Sequence, residues 1–498
     1  MNAAAAHTCA APAGPPAAGA AVTCPALLVA APASGQGKTT VVAAMARLLA
    51  RQGARVRVFK CGPDFLDPFW HQLASGQAVH NIDLWMAGEA DARARLHAAA
   101  QVADVVLVEG VMGLHDGSPS AARLARLLGL PVLAVVQAGR MAQTLGAVAH
   151  GLRTYRQDVE GPLPWAGVLA NGVASDGHAA LLRAAVAPAP QEGQGSDADP
   201  ATGRDDGWLG HLPQNPAMHL PERHLGLVAA HELGHAEALA RLDAAADLLA
   251  ATPLGRLGLD GWRARWAVTF APPPPAATHG TPALLAGRTV AVARDAAFAF
   301  IYPANVQALQ ALGAQVVFFS PLAGDALPPC DALWLPGGYP ELHAPALAAR
   351  HDLRAQLHAH AQAGRPIWAE CGGMMTLFEE LTLADGHSHR LWGLLPGRVR
   401  MQKKLAGLGM QQWATPGGTL RGHSFHYSTC QTPLAPLALT QPAEHSARRQ
   451  GEPVYAHGSV RASYFHAWFA SSLPATAQLF GSAAGGHAAA PATAEGGA

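Results

Sequence analysis

Ala26-Leu27-Leu28-Val29-Ala30-Ala31-Pro32-Ala33-Ser34-Gly35-Gln36-Gly37-Lys38-Thr39-Thr40 decides the fold of the first half of this chain. Its five leading apolar residues make a compact buried strand, a glycine-rich loop follows directly, and a helical pattern runs from Val41 to Leu49. In that order, the N–H groups of the loop and of the helix start can cradle phosphates. Ser34, Gly35, Gly37, Lys38, Thr39 and Thr40 are therefore candidate nucleotide-binding residues, with Lys38 reaching the terminal phosphates and Thr39 holding Mg2+. Pro32 stands where the usual pattern has its first glycine.

Outward from this stretch, strands alternate with helices. Arg55–Phe59 leads into Lys60-Cys61-Gly62-Pro63-Asp64-Phe65-Leu66-Asp67-Pro68, and Val105–Val108 ends in Glu109-Gly110. Val132–Val136, Ala166–Ala170 and Trp208–Pro213 follow. Continuous apolar strands separated by helices predict an α/β parallel sheet covered on both faces, with its site at the carboxyl ends of the strands. Asp64, Asp67, Glu109, Asp116 and Asn171 all stand just past such ends. Asp64 and Glu109 join Thr39 as candidate Mg2+ ligands, and Asn171 joins the nucleotide-binding set.

With 498 residues the chain exceeds one ordinary core. The reading is a tail over 1–23, an ATP-binding domain over 24–268 with a flexible insertion at 186–206, and a Pro-rich linker over 269–286. A second α/β domain over 287–475 and a Gly/Ala tail over 476–498 complete it. Lys+Arg and Asp+Glu balance at 34 each, so no basic excess points to nucleic acid and no charge run to a membrane surface. The six cysteines lack paired spacing, which suits a reducing cytosol and gives no zinc motif. No apolar run reaches the roughly 20 residues of a spanning helix, and the start lacks a signal-peptide pattern. A cytoplasmic protein is expected.

The second half holds its chemistry in Trp368-Ala369-Glu370-Cys371-Gly372-Gly373. A short buried strand ends in a cysteine on a strand-to-helix turn, a place where a thiol stands clear of the backbone beside free N–H groups. Cys371 is a candidate nucleophile; a buried structural cysteine is the plain alternative. Pro336-Gly337-Gly338 offers further donors for an oxyanion hole, with Gly338 and Gly372 as its candidates. A thiol nucleophile needs a base, and His423, His426 and His466 all qualify on the residues alone. Arg421–Tyr427 and Ser459–His466 read as antiparallel strands.

Several of these motifs together resemble a known family. Glu370–Gly373 after Pro-Gly-Gly-Tyr-Pro-Glu-Leu-His resembles the class I glutamine amidotransferase domain of the cobyrinic acid type, and the first half resembles the dethiobiotin-synthetase-like ATP domain. Their fusion resembles the cobyrinic or hydrogenobyrinic acid a,c-diamide synthase family, through Ser34–Thr40, Phe59–Pro68, Val108–Gly117, Leu220–Leu227, Val292–Ala297, Leu335–His343, Arg421–Ser428 and Ala462–His466. The resemblance implies a P-loop NTPase-like domain joined to a glutaminase. Cys371 would be the nucleophile and His466 its activator, with L-glutamine, ATP and a corrin acid as substrates. It allows a homodimer. Class I glutaminases commonly carry a Glu two residues after that histidine; here Trp468 occupies the place, so a dyad is implied. Family members commonly have Gly at Ala31 and an acid at Gln137.

Rivals differ at named positions. Cobyric acid synthases typically have a Lys-x-Gln-Asn-Met pattern where this chain has Lys60-Cys61-Gly62-Pro63-Asp64. ParA-like ATPases carry an extra lysine where Ala33 stands and lack a glutaminase half. A non-catalytic regulator fits poorly with intact Cys371, His466, Lys38 and Glu109.

Overall fold

The computed structural model describes residues 20–186, 207–223, 226–227, 234–273, 282–444 and 450–481. Most of the expected insertion and tails, the centre of the linker and part of the Leu220–Leu227 motif lie outside the described residues.

The first unit is built on seven parallel strands: β1 Val22–Ala30, β2 Val56–Cys61, β3 His80–Ile82, β4 Val105–Glu109, β5 Val132–Gln137, β6 Trp165–Val173 and β7 Trp208–Pro213. Their order is β3-β2-β4-β1-β5-β6-β7. Strand β8, Ala267–Phe270, pairs antiparallel with the start of β1. The alternation of side chains along each strand splits the interior into two cores, one on each face. Leu28, Ala30, Val106 and Val108 belong to one, and Leu27, Val29, Val105 and Leu107 to the other. Both faces are apolar because helices cover both, which is why these strands read as unbroken hydrophobic runs.

Helix α1, Lys38–Arg51, starts directly after Gly37, whose φ of 90° puts it in the left-handed region. Helix α2, Leu66–Ser75, follows β2, and α3, His235–Ala250, lies against α1 through the Arg47–Asp243 pair at 2.7 Å.

The second unit carries β9 Thr289–Ala293, β10 Gln315–Phe319, β11 Ala332–Leu335, β12 Ile367–Glu370, β13 Gly407–Thr415, β14 Gly418–His426, β15 Pro436–Leu439, β16 Pro453–His457, β17 Val460–Ser463 and β18 His466–Trp468. Its main sheet has the order β10-β9-β11-β12-β17-β16-β15. The pairs from β10 to β17 are parallel, and β17–β16 and β16–β15 are antiparallel. A second sheet holds β13, β14 and β18 in antiparallel pairs.

Four expectations need correction. The stretch Ser459–His466 is not one antiparallel strand: β17 runs parallel to β12, and the chain then changes sheet before β18. The tail expected through residue 23 ends earlier, because β1 begins at Val22 where β8 gives it a partner. The tail range expected from 476 includes residues that are folded. Leu473–Phe480 is a helix whose Ser472 cap accepts the Ala475 N–H at 3.4 Å, and Leu479 and Phe480 are buried. The linker range likewise starts inside β8, and its Leu285 is fully buried.

The units meet through polar and apolar contacts. Arg95 Nη1 donates to Gln307 Oε1 at 2.9 Å, Arg421 Nη1 donates to the Trp85 carbonyl at 2.9 Å, and Met86 packs with Tyr302, Ala304 and Trp468.

Candidate functional site

Two sites form at the carboxyl ends of the parallel strands of the two main sheets. In the first, β1 delivers the glycine-rich loop, β2 delivers Lys60 to Asp67, β4 delivers Glu109 and β6 delivers Asn171. All seven candidate ATP residues, together with Asp64 and Glu109, line one cavity of about 930 Å3. That is room for a ligand of nucleotide size. Gly37 is required twice over: its φ is 90°, and a Cβ there would meet Asn171 Nδ2 at 2.5 Å. Asn171 Nδ2 donates to the Gln36 carbonyl at 3.0 Å, and Gln36 Oε1 accepts the Gln137 N–H at 2.9 Å. Gln137 thus helps hold the loop through its backbone, while its side chain lies against Gly172. The fully buried Ala31 accepts the Leu114 N–H at 2.8 Å, tying the loop to the segment after β4.

Lys38 Nζ donates to the Ala33 carbonyl at 3.1 Å and the Met112 carbonyl at 2.7 Å. Burial lowers its pKa, partly offset by Glu109. Thr39 Oγ1 donates to Glu109 Oε1 at 2.8 Å. Glu109 is fully buried and also meets Lys60 Nζ at 3.0 Å and His71 Nε2 at 2.5 Å. Burial alone would raise its carboxyl, but Lys60, His71 and Thr39 prevail and hold it well below the usual carboxylate range. Lys60 pairs with Asp67 as well. Burial works against the Lys60 charge, yet the Asp67, Glu109 and Asp64 carboxylates raise its pKa. Asp67 is pushed up to about 8, by burial first and then by Asp64 and Glu109, against the pull of Lys60.

A hydroxyl and two carboxylates are the hard oxygen donors that Mg2+ takes, with water and phosphate oxygens filling the remaining positions. Among the described residues no group of three or more His, Cys, Asp or Glu could hold a metal, so an all-protein cage is absent there. The Thr39–Glu109 pair beside the phosphate loop fits the smaller demand of a phosphate-bound ion. Asp64 already accepts the Leu66 N–H at 2.6 Å and the Asp67 N–H at 3.2 Å through Oδ1.

In the second site β12 runs directly into Cys371, which caps helix α4, Gly372–Leu377. Its φ of 45° and ψ of −108° are costly for a residue with a side chain and mark a tight elbow. The Cys371 N–H donates to the Ser463 carbonyl at 2.8 Å, which binds the elbow to β17. The Pro336–Gly338 turn closes over it: a Cβ at Gly372 would meet Gly338 O at 2.7 Å and Gly338 N at 2.9 Å, and one at Gly337 would collide with the His466 ring. Cysteine, histidine and both oxyanion-hole candidates therefore pack around a single glycine turn.

Each of the three candidate bases has a distinct setting. His426 uses both ring nitrogens, with Ser428 O at 2.8 Å and Glu452 Oε1 at 3.1 Å. His423 lies 3.3 Å from the Tyr302 hydroxyl and stacks on His466 with ring centroids 4.9 Å apart. His466 Nδ1 is buried and, among the described residues, has no hydrogen-bond partner; Glu370 Oε2 lies 3.9 Å away. Burial, then His423 and His426, keep the His466 pKa well below the ordinary histidine value. Burial also pushes the Cys371 thiol far up, with Glu341 adding to it and the Gly372 N–H opposing.

Sequence reasoning did not single out Glu370, Lys60, His71 or Phe65. Glu370 is buried, accepts the Trp368 indole N–H at 2.7 Å and the Ala467 N–H at 3.2 Å, and is raised to about 8, mainly by burial. An acid ending an apolar strand was the visible signal, identical in kind to that of Glu109. Lys60 was likewise visible as a charge closing β2.

Residues 289–474 match the family described as CobB/CobQ-like glutamine amidotransferase domain, and residues 27–225 match the CobQ/CobB/MinD/ParA nucleotide binding domain. The chain is 51% identical to a hydrogenobyrinate a,c-diamide synthase of Stutzerimonas stutzeri, over 92% of this chain and 98% of that one. It is 49% identical to the protein of the same name from Pseudomonas aeruginosa, over 92% and 97%. It is 47% identical to a cobyrinate a,c-diamide synthase of Herminiimonas arsenicoxydans, over 91% and 96%. A nucleotide-binding domain and a glutamine amidotransferase domain in one chain make a glutamine-dependent carbon–nitrogen ligase. The chain therefore belongs to the a,c-diamide synthase family of amidotransferases.

Proposed function

We propose that the protein amidates the a and c carboxylates of hydrogenobyrinic or cobyrinic acid, with glutamine as nitrogen donor and ATP as activator. The observation that carries this reading is a phosphate-loop cavity joined in one chain to a cysteine elbow and its histidine, in a sequence aligned over 92% of its length with a relative of that name.

At the elbow, Cys371 Sγ attacks the side-chain amide carbon of glutamine while His466 takes the thiol proton and passes it to the departing ammonia. The Gly338 and Gly372 N–H groups face the oxyanion, and water then cleaves the thioester to give glutamate. Trp468 cannot supply an orienting carboxylate; Glu370, the residue before the nucleophile, has Oε2 3.9 Å from His466 Nδ1 and is the carboxylate placed to favour the imidazolium as it forms.

A carboxylate is a poor electrophile, so the other half must activate it. Lys38 and the loop N–H groups hold the ATP phosphates while the terminal phosphoryl group passes to the corrin carboxylate. Ammonia then attacks the acyl phosphate, the amide forms and phosphate leaves. Thr39, Asp64 and Glu109 would hold Mg2+, which neutralises phosphate charge when bound. The setting we propose is cytoplasmic, supported by five described cysteines that are all free and by the lack, among the described residues, of a helix long and apolar enough to cross a membrane.

Mass spectrometry after incubation of each corrin acid with glutamine and ATP tests the reading. Two acid-to-amide exchanges on one of them are expected. No exchange on either would overturn the assignment. Amidation of a corrin that already carries the a and c amides would point instead to cobyric acid synthase chemistry.

A further inference from the structure

Phe65 belongs to the ATP unit and lies against the glutaminase base. It follows Asp64, whose side chain lines the nucleotide cavity and caps α2. Asn81 Nδ2 donates to the carbonyls of Gly62 and Asp64, each at 2.8 Å, so the loop carrying Phe65 is pinned on both sides of Pro63. From this loop the ring crosses the boundary between the units. It stacks on Phe300 with centroids 4.9 Å apart and planes within 3°, and on Tyr302 at 4.3 Å. It also meets His466 at 5.2 Å and His423 at 5.7 Å. The Tyr302 hydroxyl donates to the Pro63 carbonyl at 2.7 Å and lies 3.3 Å from His423 Nδ1, while the rings of His423 and His466 are stacked. A packed series of groups thus runs from a carboxylate in the nucleotide cavity to the histidine beside Cys371.

Among the described residues, the Cys371 thiol makes its hydrogen bond to the Phe425 carbonyl, at 3.9 Å, not to an imidazole nitrogen. Burial favours the neutral thiol and the neutral imidazole together. For the proton to move, the His466 ring and the sulfur must first be brought into line, and Phe65 packs against that ring.

We propose that Phe65 is a positioning residue that couples the two sites: occupation of the cavity at Asp64 sets the place of the Phe65 ring, and the ring sets His466 for proton transfer from Cys371. This makes glutamine hydrolysis answer to the nucleotide site, so that ammonia is released when an acyl phosphate is there to receive it. The proposal rests on the reading of Cys371 and His466 as the glutaminase pair.

The test uses the full-length protein and measures glutamate release and amide formation, with glutamine or with ammonium salt, in the presence and absence of ATP and the corrin acid. In the wild type, ATP plus corrin acid should raise glutamate release, and glutamate should match amide one for one. Phe65→Ala should reduce that stimulation about tenfold and break the match, while ammonia-dependent amidation stays within about threefold of wild type. Phe65→Tyr, which keeps the ring, should restore stimulation. Phe65→Leu, which keeps most of the volume without a flat ring and so guards against simple unfolding, should lose it. Retained stimulation in Phe65→Ala and Phe65→Leu would overturn the proposal, as would a parallel fall of glutamine- and ammonia-dependent amidation. A wild type that cannot amidate with ammonia would count against the synthase reading itself, a result distinct from any effect of Phe65.

Discussion

Replacing Glu370 by glutamine should make the glutaminase half more stable and less active, and the structure sets both magnitudes. The substitution keeps an oxygen for the Trp368 indole and the Ala467 N–H but removes the ionisable group. Burial raises that carboxyl from an ordinary 4.5 to about 8, although the two hydrogen bonds pull the other way. The folded chain therefore holds this proton more tightly than the unfolded chain, and stability falls as pH rises from 4.5 to about 8. At about 1.4 kcal/mol per pH unit, the burden at pH 7 is about 3 kcal/mol, which E370Q removes. The Tm of E370Q should exceed that of wild type at pH 8, with the gap closing toward pH 5.

Activity moves the other way. Once His466 has taken the thiol proton, a carboxylate 3.9 Å from Nδ1 favours the charged ring by about 4 kcal/mol at an effective dielectric of about 20. Ionising a carboxyl of pKa about 8 at pH 7 costs about 1.4 kcal/mol. The difference, about 3 kcal/mol, corresponds to a loss of about 100-fold in glutamate release, with ammonia-dependent amidation spared. Calorimetry at both pH values and a coupled glutamate assay check the two halves separately. Glutamate release within about threefold of wild type would refute the orienting role, and a Tm gap that does not widen with pH would refute the burial argument.

Cys371→Ser should abolish glutamine-dependent amidation while leaving the ammonia-dependent reaction; loss of both would mean that the cysteine supports the fold or the coupling. Lys38→Ala should lower amidation from either nitrogen source by at least about 100-fold, since the loop loses its cation at the phosphates, and full retention would remove the ATP assignment. Gly337→Ala places a methyl group into the His466 ring, so glutamate release should fall at least about tenfold with little change in nucleotide binding by fluorescence titration. Unchanged release would show that the turn does not fix the ring.

The first sheet was legible because its strands are buried on both faces. Unbroken runs such as Val105–Val108 have no polar residue to blur them, and Gly37 before Lys38-Thr39 places the loop without ambiguity. The second half was less so. The stretch Val460–His466 alternates as an edge strand does, yet it supplies β17 to one sheet and β18 to another, a partition that depends on distant partners and leaves no local trace. The polar centre of the nucleotide cavity was half visible: Glu109 stood out after an apolar strand, but its union with Lys60 and His71 arises from the parallel register of β2 and β4 and the packing of the middle of α2. Choosing among His423, His426 and His466 needs the third dimension, because their settings differ in partners and not in sequence.

The change of sheet after Ser463 has a mechanical side. The sulfur rides at the end of β12 in the large sheet, whereas the imidazole opens β18 in the small one, opposite His423 of β14. Only Tyr464 and Phe465 join β17 to β18, so the proposed nucleophile and its proposed base belong to two different sheets linked by two residues. A small slide of one sheet against the other would alter the sulfur-to-nitrogen spacing while leaving the pairing within each sheet in place. On the proposed roles, shear between the sheets would therefore govern proton transfer, which a backbone that carried both residues on one strand would not permit.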